Sequence, residues 1–145
     1  MILTLNGGSK FHREIARDVV EFMQQKYFDN VAKLQVEMKL SKILSRDEGA
    51  DGFCLVLDSG NRPRNFEVSI DTTASLQDFI KTIIHEFIHV KQYVRGELVD
   101  GSRGRAKTTW KNKDHSKTAY SKQPWEREAY RLQETFYTEY MTQGN

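Results

Sequence analysis

The sequence predicts one small α+β domain over residues 1–145, in which a helix is followed by a small sheet and then by two more helices. Its 145 residues match the length of a single domain with one core. Apolar residues recur at helical spacing in three segments, and a strictly alternating segment lies between the first two of them. Hydrophobic residues at 38% and charged residues at 29% exclude an intrinsically disordered chain.

A short strand and the first helix open the domain. Met1–Leu5 predicts the strand, the pair Gly7 and Gly8 ends it, and Ser9 is a suitable helix N-cap. The apolar stripe of the helix, which runs to about Phe28, consists of Phe11, Ile15, Val19, Phe22 and Met23. This spacing predicts an amphipathic helix that packs on another part of the domain.

Three further segments predict a three- to four-stranded sheet, antiparallel or mixed. Lys33–Leu40 alternates apolar and polar residues, which is typical of a half-buried strand. The apolar run Phe53–Leu57 predicts a central strand, and Phe66–Ile70 predicts a third strand after a turn at Asp58–Pro63. Their order along the chain favours an antiparallel meander.

Two long helices follow the predicted sheet. The first begins after its cap Ser75 and stops at Gly96. The second begins near Pro124 and carries an apolar stripe of Trp125, Ala129, Leu132, Phe136 and Tyr140. About 27 residues without periodicity separate the two helices, and a connection of that length is usually functional.

The first of these two helices contains the pattern H-E-x-x-H, from His85 to His89. Four residues advance a helix by about 400°, so the two imidazoles lie about 40° apart and can reach one metal ion. Glu86 projects beside that ion, where its carboxylate can take a proton from bound water. Zinc binds imidazole well and lowers the pKa of its bound water to about 7, so we expect Zn²⁺ as the cofactor. Random placement of the chain's histidines and glutamates would produce this pattern in about one such sequence in a hundred.

The rest of this helix indicates that its histidines face a cleft. Apolar residues cover about half of its circumference, and His85 and His89 share the opposite side with Asp78 and Gln92. A helix this apolar is largely buried. The alternative interpretation is that both histidines lie on the solvated face of an ordinary amphipathic helix.

A hydrolytic zinc site takes three protein ligands and leaves one position for water, so a third ligand is required. Glu126 and Glu128 flank the apolar stripe of the last helix on opposite sides, and periodicity alone does not choose between them. The side of Glu128 carries residues that predict a solvated surface, namely Arg131, Thr135 and Glu139. We therefore favour Glu126. His115, in the long connection, is the rival candidate.

These residues resemble the gluzincin group of zinc metallopeptidases, in which H-E-x-x-H on one helix is completed by a glutamate on a later helix. The match consists of His85–His89 and a later E-x-x-A, here Glu126–Ala129. The chain is most similar to minimal, single-domain members with a zincin-like fold, including small phage-encoded proteins with a Pro-Trp-Glu-x-Glu-Ala segment, here Pro124–Ala129.

The resemblance covers about residues 53–140 and implies Glu126 as the third zinc ligand. Related families often place Asp or Asn directly after the alanine, where it supports the zinc ligands, whereas this chain has Tyr130. The resemblance therefore does not identify the residues that hold the ligands in place.

The expected activity is hydrolysis of a peptide bond in a protein or peptide substrate. Zinc polarises the scissile carbonyl, and Glu86 acts as general base on the attacking water and passes the proton to the leaving amine. The oxyanion donor stays open among Tyr93, Tyr120, Tyr130 and His115. The resemblance also implies that the substrate adds as a strand at a sheet edge formed by Arg64–Asp71; the alternative is that this segment is an ordinary edge strand.

A basic segment supports a second hypothesis, association with nucleic acid. Gly101–Gln123 carries seven basic residues and one aspartate, a net +6, whereas the remainder of the chain carries −4. Trp110 and Tyr120 stand among these charges, as in a surface that contacts phosphates and stacks on bases. SprT-like proteases combine zinc hydrolysis with DNA association, but their third ligand is a histidine, which would be His115. We favour the alternative that the basic segment is a solvated loop that covers the site. A third hypothesis is a non-catalytic protein in which zinc is structural or regulatory.

The sequence also predicts the compartment. Cys54 is the lone cysteine and lies in an apolar run, so we expect a buried, inert thiol and no internal disulfide. No apolar run is long enough to span a membrane, and residues 1–10 lack the features of a signal peptide. We therefore expect a soluble protein of the cytoplasm, which is the host cytoplasm if the chain is phage-encoded.

Overall fold

The computed structural model describes residues 1–101 and 107–143, which form four α-helices, seven strands and one short 3₁₀ helix. The helices are α1 (Lys10–Tyr27), α2 (Leu44–Glu48), α3 (Leu76–Val94) and α4 (Pro124–Thr142). The strands are β1 (Ile2–Gly7), β2 (Gln35–Ser41), β3 (Gly52–Val56), β4 (Asn65–Asp71), β5 (Leu98–Val99), β6 (Thr109–Trp110) and β7 (Lys113–Asp114), and the 3₁₀ helix is Tyr120–Lys122. The predicted α+β class is confirmed. In the described ranges, no helix combines the length and apolar character needed to cross a membrane.

The main sheet is mixed, with the strand order β1-β2-β4-β3. β1 runs parallel to β2, β2 runs parallel to β4, and β3 runs antiparallel to β4. The predicted antiparallel meander is therefore wrong. Because α1 connects β1 to β2, it returns the chain to the starting end of the sheet, and the two strands it joins become parallel.

The positions of β3 and β4 in this sheet are the reverse of the prediction. β3 lies at an edge, whereas β4 is hydrogen-bonded on both sides, to β2 and to β3. The predictions of a central Phe53–Leu57 and of an edge at Arg64–Asp71 are thus both wrong. The apolar run of β3 reflects contact with α3 on one face, and Leu55 on the other face is 46% exposed. Apolar composition reports burial of side chains and does not report which backbones are hydrogen-bonded.

The core lies between one face of the main sheet and the helices α1, α3 and α4. Ser9 and Ser75 cap α1 and α3 as predicted, since each hydroxyl accepts a hydrogen bond from a backbone N–H of the first turn. Most of the predicted stripe of α1 is buried, but Phe11 is 53% exposed. α3 packs against α1, β3, β4 and α4, and this central position holds it in a fixed orientation.

The connection between α3 and α4 has a small core of its own in its described residues. β5, β6 and β7 form a three-stranded antiparallel sheet. Leu98, Trp110 and Trp125 pack together beneath it, with Tyr93 against them. Lys111 and Asn112 both have positive φ, 49° and 71°, which permits the two-residue turn between β6 and β7. The packing partners of these short strands are distant in sequence, so periodicity did not reveal them.

Candidate metal centre

α3 presents His85 and His89 to a cleft of about 680 Å³. The two residues are one helical turn apart and only 8% and 7% exposed, yet both line the cleft. α4 crosses α3 and brings Glu126, in its first turn, to the same point. The three predicted ligands therefore come from two helices that pack directly on each other.

The three side chains converge on a common centre. Their ligating atoms lie within 4.8 Å of one another. His85 Nε2 is 3.1 Å from Glu126 Oε1, and His89 Nε2 is 3.1 Å from Glu126 Oε2. Donors of a tetrahedral zinc site, each about 2.0–2.1 Å from the ion, are about 3.3 Å apart. Two imidazoles and one carboxylate are donor types that suit a zinc ion, and both imidazole–carboxylate distances are close to the zinc spacing.

The electrostatics of Glu126 favour its ionised form. Burial alone would raise the pKa of Glu126, but hydrogen bonds with His85 and His89 and the charge of these rings outweigh burial and lower the pKa to about 2. For His89 the balance also favours the charged form: burial would lower its pKa, whereas the hydrogen bond with Glu126 and the charge of Glu86 raise it. Glu126 is thus a carboxylate at neutral pH, the form that binds a metal.

Glu86 lies beside this centre, and no side chain in the described part of the chain hydrogen-bonds its carboxylate. The residue is 6% exposed and lines the cleft. Burial raises its pKa, and the other groups that act on it, His89, His85 and Glu126, do so as charges and not as hydrogen-bond partners. Because Glu86 lines the cleft and no described residue hydrogen-bonds its carboxylate, this carboxylate is available to a molecule in the cleft.

Each imidazole is held by a glutamine at the nitrogen that faces away from Glu126. His89 Nδ1 is 2.7 Å from Gln92 Oε1, and His85 Nδ1 is 2.7 Å from Gln133 Oε1. Tyr130, which directly follows Ala129, lays its ring against His85 with a centroid separation of 4.6 Å. The side chains that contact the second nitrogens of the imidazoles, which the sequence did not identify, are thus two glutamines. The spacing of Gln92, three residues after His89, was the available signal.

Glu128 is not solvated as the sequence suggested. Its carboxylate forms an ion pair with Lys91 at 2.9 Å and accepts a hydrogen bond from Gln92 at 3.2 Å. Its side chain is 15% exposed. Helical periodicity placed Glu128 correctly on the opposite flank from Glu126, but it did not show that the end of α3 covers this flank.

The rival ligand His115 lies outside the cluster. Its Nδ1 is 3.0 Å from the hydroxyl of Thr118, and its ring packs edge-on against Trp125. Within the described residues, the group of side chains that could hold a metal ion consists of His85, His89 and Glu126. The structure therefore gives the SprT-like ligand set no support.

Two tyrosine hydroxyls reach the centre. The Tyr120 hydroxyl donates to Glu126 Oε1 at 3.4 Å and lies 3.1 Å from the Tyr130 hydroxyl. Burial and then the hydrogen bond with Tyr130 raise the pKa of Tyr120, so it stays protonated and able to donate. Tyr93 also lines the cleft, and burial raises its pKa as well.

Cys54 and the basic segment differ in part from expectation. Cys54 is half-buried at the wall of the cleft, and burial raises the pKa of its thiol well above the ordinary value, which agrees with an inert thiol. Trp110 is buried against Trp125, so it does not project as a base-stacking side chain. Arg103 and Arg105, which contribute to the predicted basic segment, lie outside the described residues.

No protein-family model, no curated protein and no solved structure matches this chain. The resemblance to gluzincins thus stays a prediction that depends on His85–His89 and on Glu126–Ala129. The convergence of His85, His89 and Glu126 from α3 and α4 is independent of that resemblance, because it follows from the packing of the two helices.

Proposed function

We propose that this protein is a zinc-dependent metallopeptidase of the zincin type, which hydrolyses peptide bonds in a protein or peptide substrate. The observation that carries the proposal is the carboxylate of Glu86, which lines an open cleft beside the ligand set of His85, His89 and Glu126 and accepts no hydrogen bond from a described residue. Structural zinc sites are closed by four protein ligands, whereas three protein ligands and an adjacent base are typical of hydrolytic sites.

The catalytic roles follow from what each side chain faces. A bound zinc ion would polarise a carbonyl group and lower the pKa of its water to about 7. Glu86 accepts the proton of the attacking water and delivers it to the leaving amine, since its carboxylate lines the cleft and has no competing hydrogen bond from a described residue.

Tyr120 is the best-supported oxyanion donor of the four candidates. Its hydroxyl is 3.4 Å from Glu126 Oε1 and is thus next to the ligand set. The hydroxyl of Tyr130 hydrogen-bonds that of Tyr120 and holds it there. His115 is engaged with Thr118, outside the ligand cluster. A phenol at this position can donate to the oxygen that becomes negative in the transition state.

The free backbone edge of the cleft belongs to β3. Gly52, Phe53 and Cys54 line the cleft, and among the strands of the described residues β3 is hydrogen-bonded to β4 on one side only. An extended peptide can add to such an edge through main-chain hydrogen bonds. We therefore propose that the substrate lies along β3, which replaces the edge expected at Arg64–Asp71.

The decisive experiment compares the wild type with Glu86→Gln. The variant keeps the shape of the side chain and leaves the three ligands intact, so we expect one zinc per chain in both proteins. We expect cleavage of an unfolded protein, followed by mass spectrometry of the products, in the wild type only. Glu21→Gln, an exposed change on α1, is the matched control and should cleave normally.

Two outcomes would contradict the proposal. Continued cleavage by Glu86→Gln would show that Glu86 is not the general base. A wild type that binds one zinc per chain and cleaves no peptide across a broad library would support the non-catalytic alternative.

A further inference from the structure

The glutamine next to His89 has its orientation determined by its neighbours. Gln92 is fully buried, and its Nε2 donates to the backbone carbonyl of Trp125 at 2.9 Å and to Glu128 Oε1 at 3.2 Å. Both partners only accept hydrogen bonds, so turning the amide over would place its oxygen against two oxygens. The amide oxygen therefore faces His89 Nδ1 at 2.7 Å, and that nitrogen carries the hydrogen. His89 Nε2, which faces Glu126, is left with its lone pair when the ring is neutral.

The same arrangement recurs at His85 with residues from a different helix. Gln133 Nε2 donates to Glu134 Oε2 at 3.0 Å, which directs its oxygen to His85 Nδ1 at 2.7 Å. Because a carboxylate only accepts, this amide is oriented as well. His85 is consequently held with its hydrogen on Nδ1, and its Nε2, 3.1 Å from Glu126 Oε1, faces the position that an ion would occupy.

Both carboxylates that orient the glutamines are paired with lysines of α3. Lys91 lies 2.9 Å from Glu128, and Lys81 lies 2.8 Å from Glu134. Two chains of contacts therefore end on the two imidazoles: Lys91, Glu128, Gln92 and His89 form one, and Lys81, Glu134, Gln133 and His85 form the other. In each chain the group that touches the imidazole is a neutral amide, and the ionic groups stand one residue further away.

We propose that Gln92 and Gln133 are the positioning residues of the metal centre, each of which selects the imidazole tautomer that binds the ion through Nε2. This inference rests on the proposed metal site and extends it. Residues that hold a ligating histidine through its second nitrogen fix both the ring orientation and the tautomer, and their loss costs about 10–100-fold in metal affinity. Neutral amides fix the ring orientation and the tautomer without adding negative charge next to the ligands.

The test is a Zn²⁺ affinity measurement by competition with a chromophoric chelator at constant pH. Gln133→Met removes the acceptor and keeps the approximate volume, and we expect a 10–100-fold weaker Zn²⁺ affinity. Gln133→Glu restores an acceptor oxygen and should recover most of that affinity. Gln25→Met, an exposed change on α1, is the matched control and should bind Zn²⁺ as the wild type does. Gln133 is preferred to Gln92 for this test because it is half-buried and not fully enclosed.

A double-variant experiment separates positioning from long-range charge. Glu134→Ala should weaken Zn²⁺ binding in the wild-type background, because Gln133 loses the partner that orients it. In the Gln133→Met background the same change should have little further effect. Equal losses of Zn²⁺ affinity in both backgrounds would show that Glu134 acts through its charge alone. They would contradict the proposal that Glu134 acts by orienting Gln133.

The outcomes also separate this inference from the proposed function. A wild-type protein that does not bind Zn²⁺ contradicts the metal site itself. A wild type that binds Zn²⁺, together with a folded Gln133→Met that binds it equally tightly, contradicts the positioning role alone. Equal losses in Gln133→Met and Gln133→Glu would show that packing, and not the acceptor oxygen, is what the ligand requires.

Discussion

Two glutamates, two positions apart on α4, have entirely different partners. Glu126 faces His85 and His89, whereas Glu128 faces Lys91 and Gln92. Both are carboxylates whose pKa is lowered, against the effect of burial, by hydrogen bonds from their partners. The chemical role of each is thus decided by what the neighbouring face of α3 presents to it.

Replacing each glutamate with alanine should separate metal binding from stability. We expect Glu126→Ala to weaken Zn²⁺ binding far more than Glu128→Ala, because Glu126, and not Glu128, contacts the imidazole Nε2 atoms. Glu128→Ala should mainly lower the free energy of unfolding, by about 1–3 kcal/mol, since the buried Lys91 loses one of the two carboxylates with which it pairs among the described residues, Glu128 and Glu97. Chelator competition and urea unfolding measure the two effects. Equal losses of Zn²⁺ affinity would contradict the assignment of Glu126 as the ligand.

The hydroxyl of Tyr120 is the group that tests the proposed oxyanion donor. We expect Tyr120→Phe to lower kcat by about 100-fold, the usual cost of losing one oxyanion donor. Its Zn²⁺ affinity should change far less, because the hydrogen bond that the hydroxyl donates to Glu126 is long, at 3.4 Å. Tyr130→Phe should have a smaller effect, because Tyr130 acts on the reaction through its hydrogen bond to Tyr120. Steady-state kinetics on a cleaved peptide measure both. A larger loss in Tyr130→Phe than in Tyr120→Phe would reverse the two roles.

At the scale of elements, one wall of the cleft is the segment that runs from the end of α2 into β3. The five-residue α2 ends at Gly49 in the left-handed conformation with φ 69°, and among the described strands β3 pairs with β4 alone. The lining residues Gly49–Cys54 thus extend from the C-cap of α2 through the first three residues of β3. The position of this wall therefore depends on the pairing of β3 with β4 and on its packing against α3.

Gly52 allows β3 to approach α3 closely. A Cβ at this position would lie 2.6 Å from Thr82 Cγ2 and 3.1 Å from the backbone oxygen of Ser69. We expect Gly52→Ala to lower the free energy of unfolding by about 1–3 kcal/mol through overpacking. Adding Thr82→Ser removes the closest methyl group and should recover part of the loss, as urea unfolding would show. No recovery would mean that the contact with Ser69 dominates.

Asp71 connects the end of β4 to the start of α2. Its Oδ2 accepts from the backbone N–H of Ser45 at 2.7 Å, and its Oδ1 accepts from the backbone N–H of Thr73 at 2.7 Å and also from the Thr73 hydroxyl. Burial would raise the pKa of Asp71, but these hydrogen bonds outweigh burial and lower it below 3.8. A lowered folded-state pKa means that the stabilisation is present above the unfolded pKa and is lost as the pH falls through the folded value.

Asp71→Asn should reveal this contribution. At pH 7 we expect the variant to be less stable by about 1–2 kcal/mol, because an amide replaces one acceptor by a donor. The difference from the wild type should shrink as the pH is lowered below about 4. Urea unfolding at a series of pH values measures it. A difference that is independent of pH would rule out a contribution from the carboxylate charge.

At the scale of the whole molecule, α3 and α4 join two apolar clusters. α4 contributes Ala129, Phe136 and Tyr140 to the main core and Trp125 to the small cluster under β5–β7. The Tyr140 hydroxyl donates to Asp18 of α1 at 2.5 Å, which ties the end of α4 to the first helix. The candidate ligands lie where these two helices cross, so a bound ion would cross-link segments that are distant in sequence.

Metal binding should therefore stabilise the entire fold. An ion that binds only the folded state adds RT ln(1 + [L]/Kd), about 2.7 kcal/mol at a concentration 100 times Kd. We expect Zn²⁺ to raise the Tm and a chelator to reverse the effect, with most of the shift lost in Glu126→Ala. Differential scanning calorimetry measures this directly. An equal Tm with Zn²⁺ and with chelator would contradict a specific site.

Helical periodicity and capping chemistry predicted much of this molecule because they are local. Ser9 and Ser75 cap the helices as expected, and the four-residue spacing of His85 and His89 places both imidazoles on one face. The preference for Glu126 over Glu128 also came from neighbouring residues on one helix. These features depend on residues within one or two turns of each other, so the sequence alone determines them.

Contacts between distant segments were decided only by the tertiary structure. The sequence did not indicate that β4 lies inside the sheet and β3 at its edge. The pattern of apolar side chains in a strand reports their burial and does not report how many strands pair with its backbone. Nor did it indicate that Gln133 contacts His85 or that Glu128 pairs with Lys91, since these pairs meet only when α4 crosses α3. The ligand types and their helical spacing are thus local properties of the chain, whereas the backbone edge and the supporting hydrogen bonds depend on which elements pack side by side.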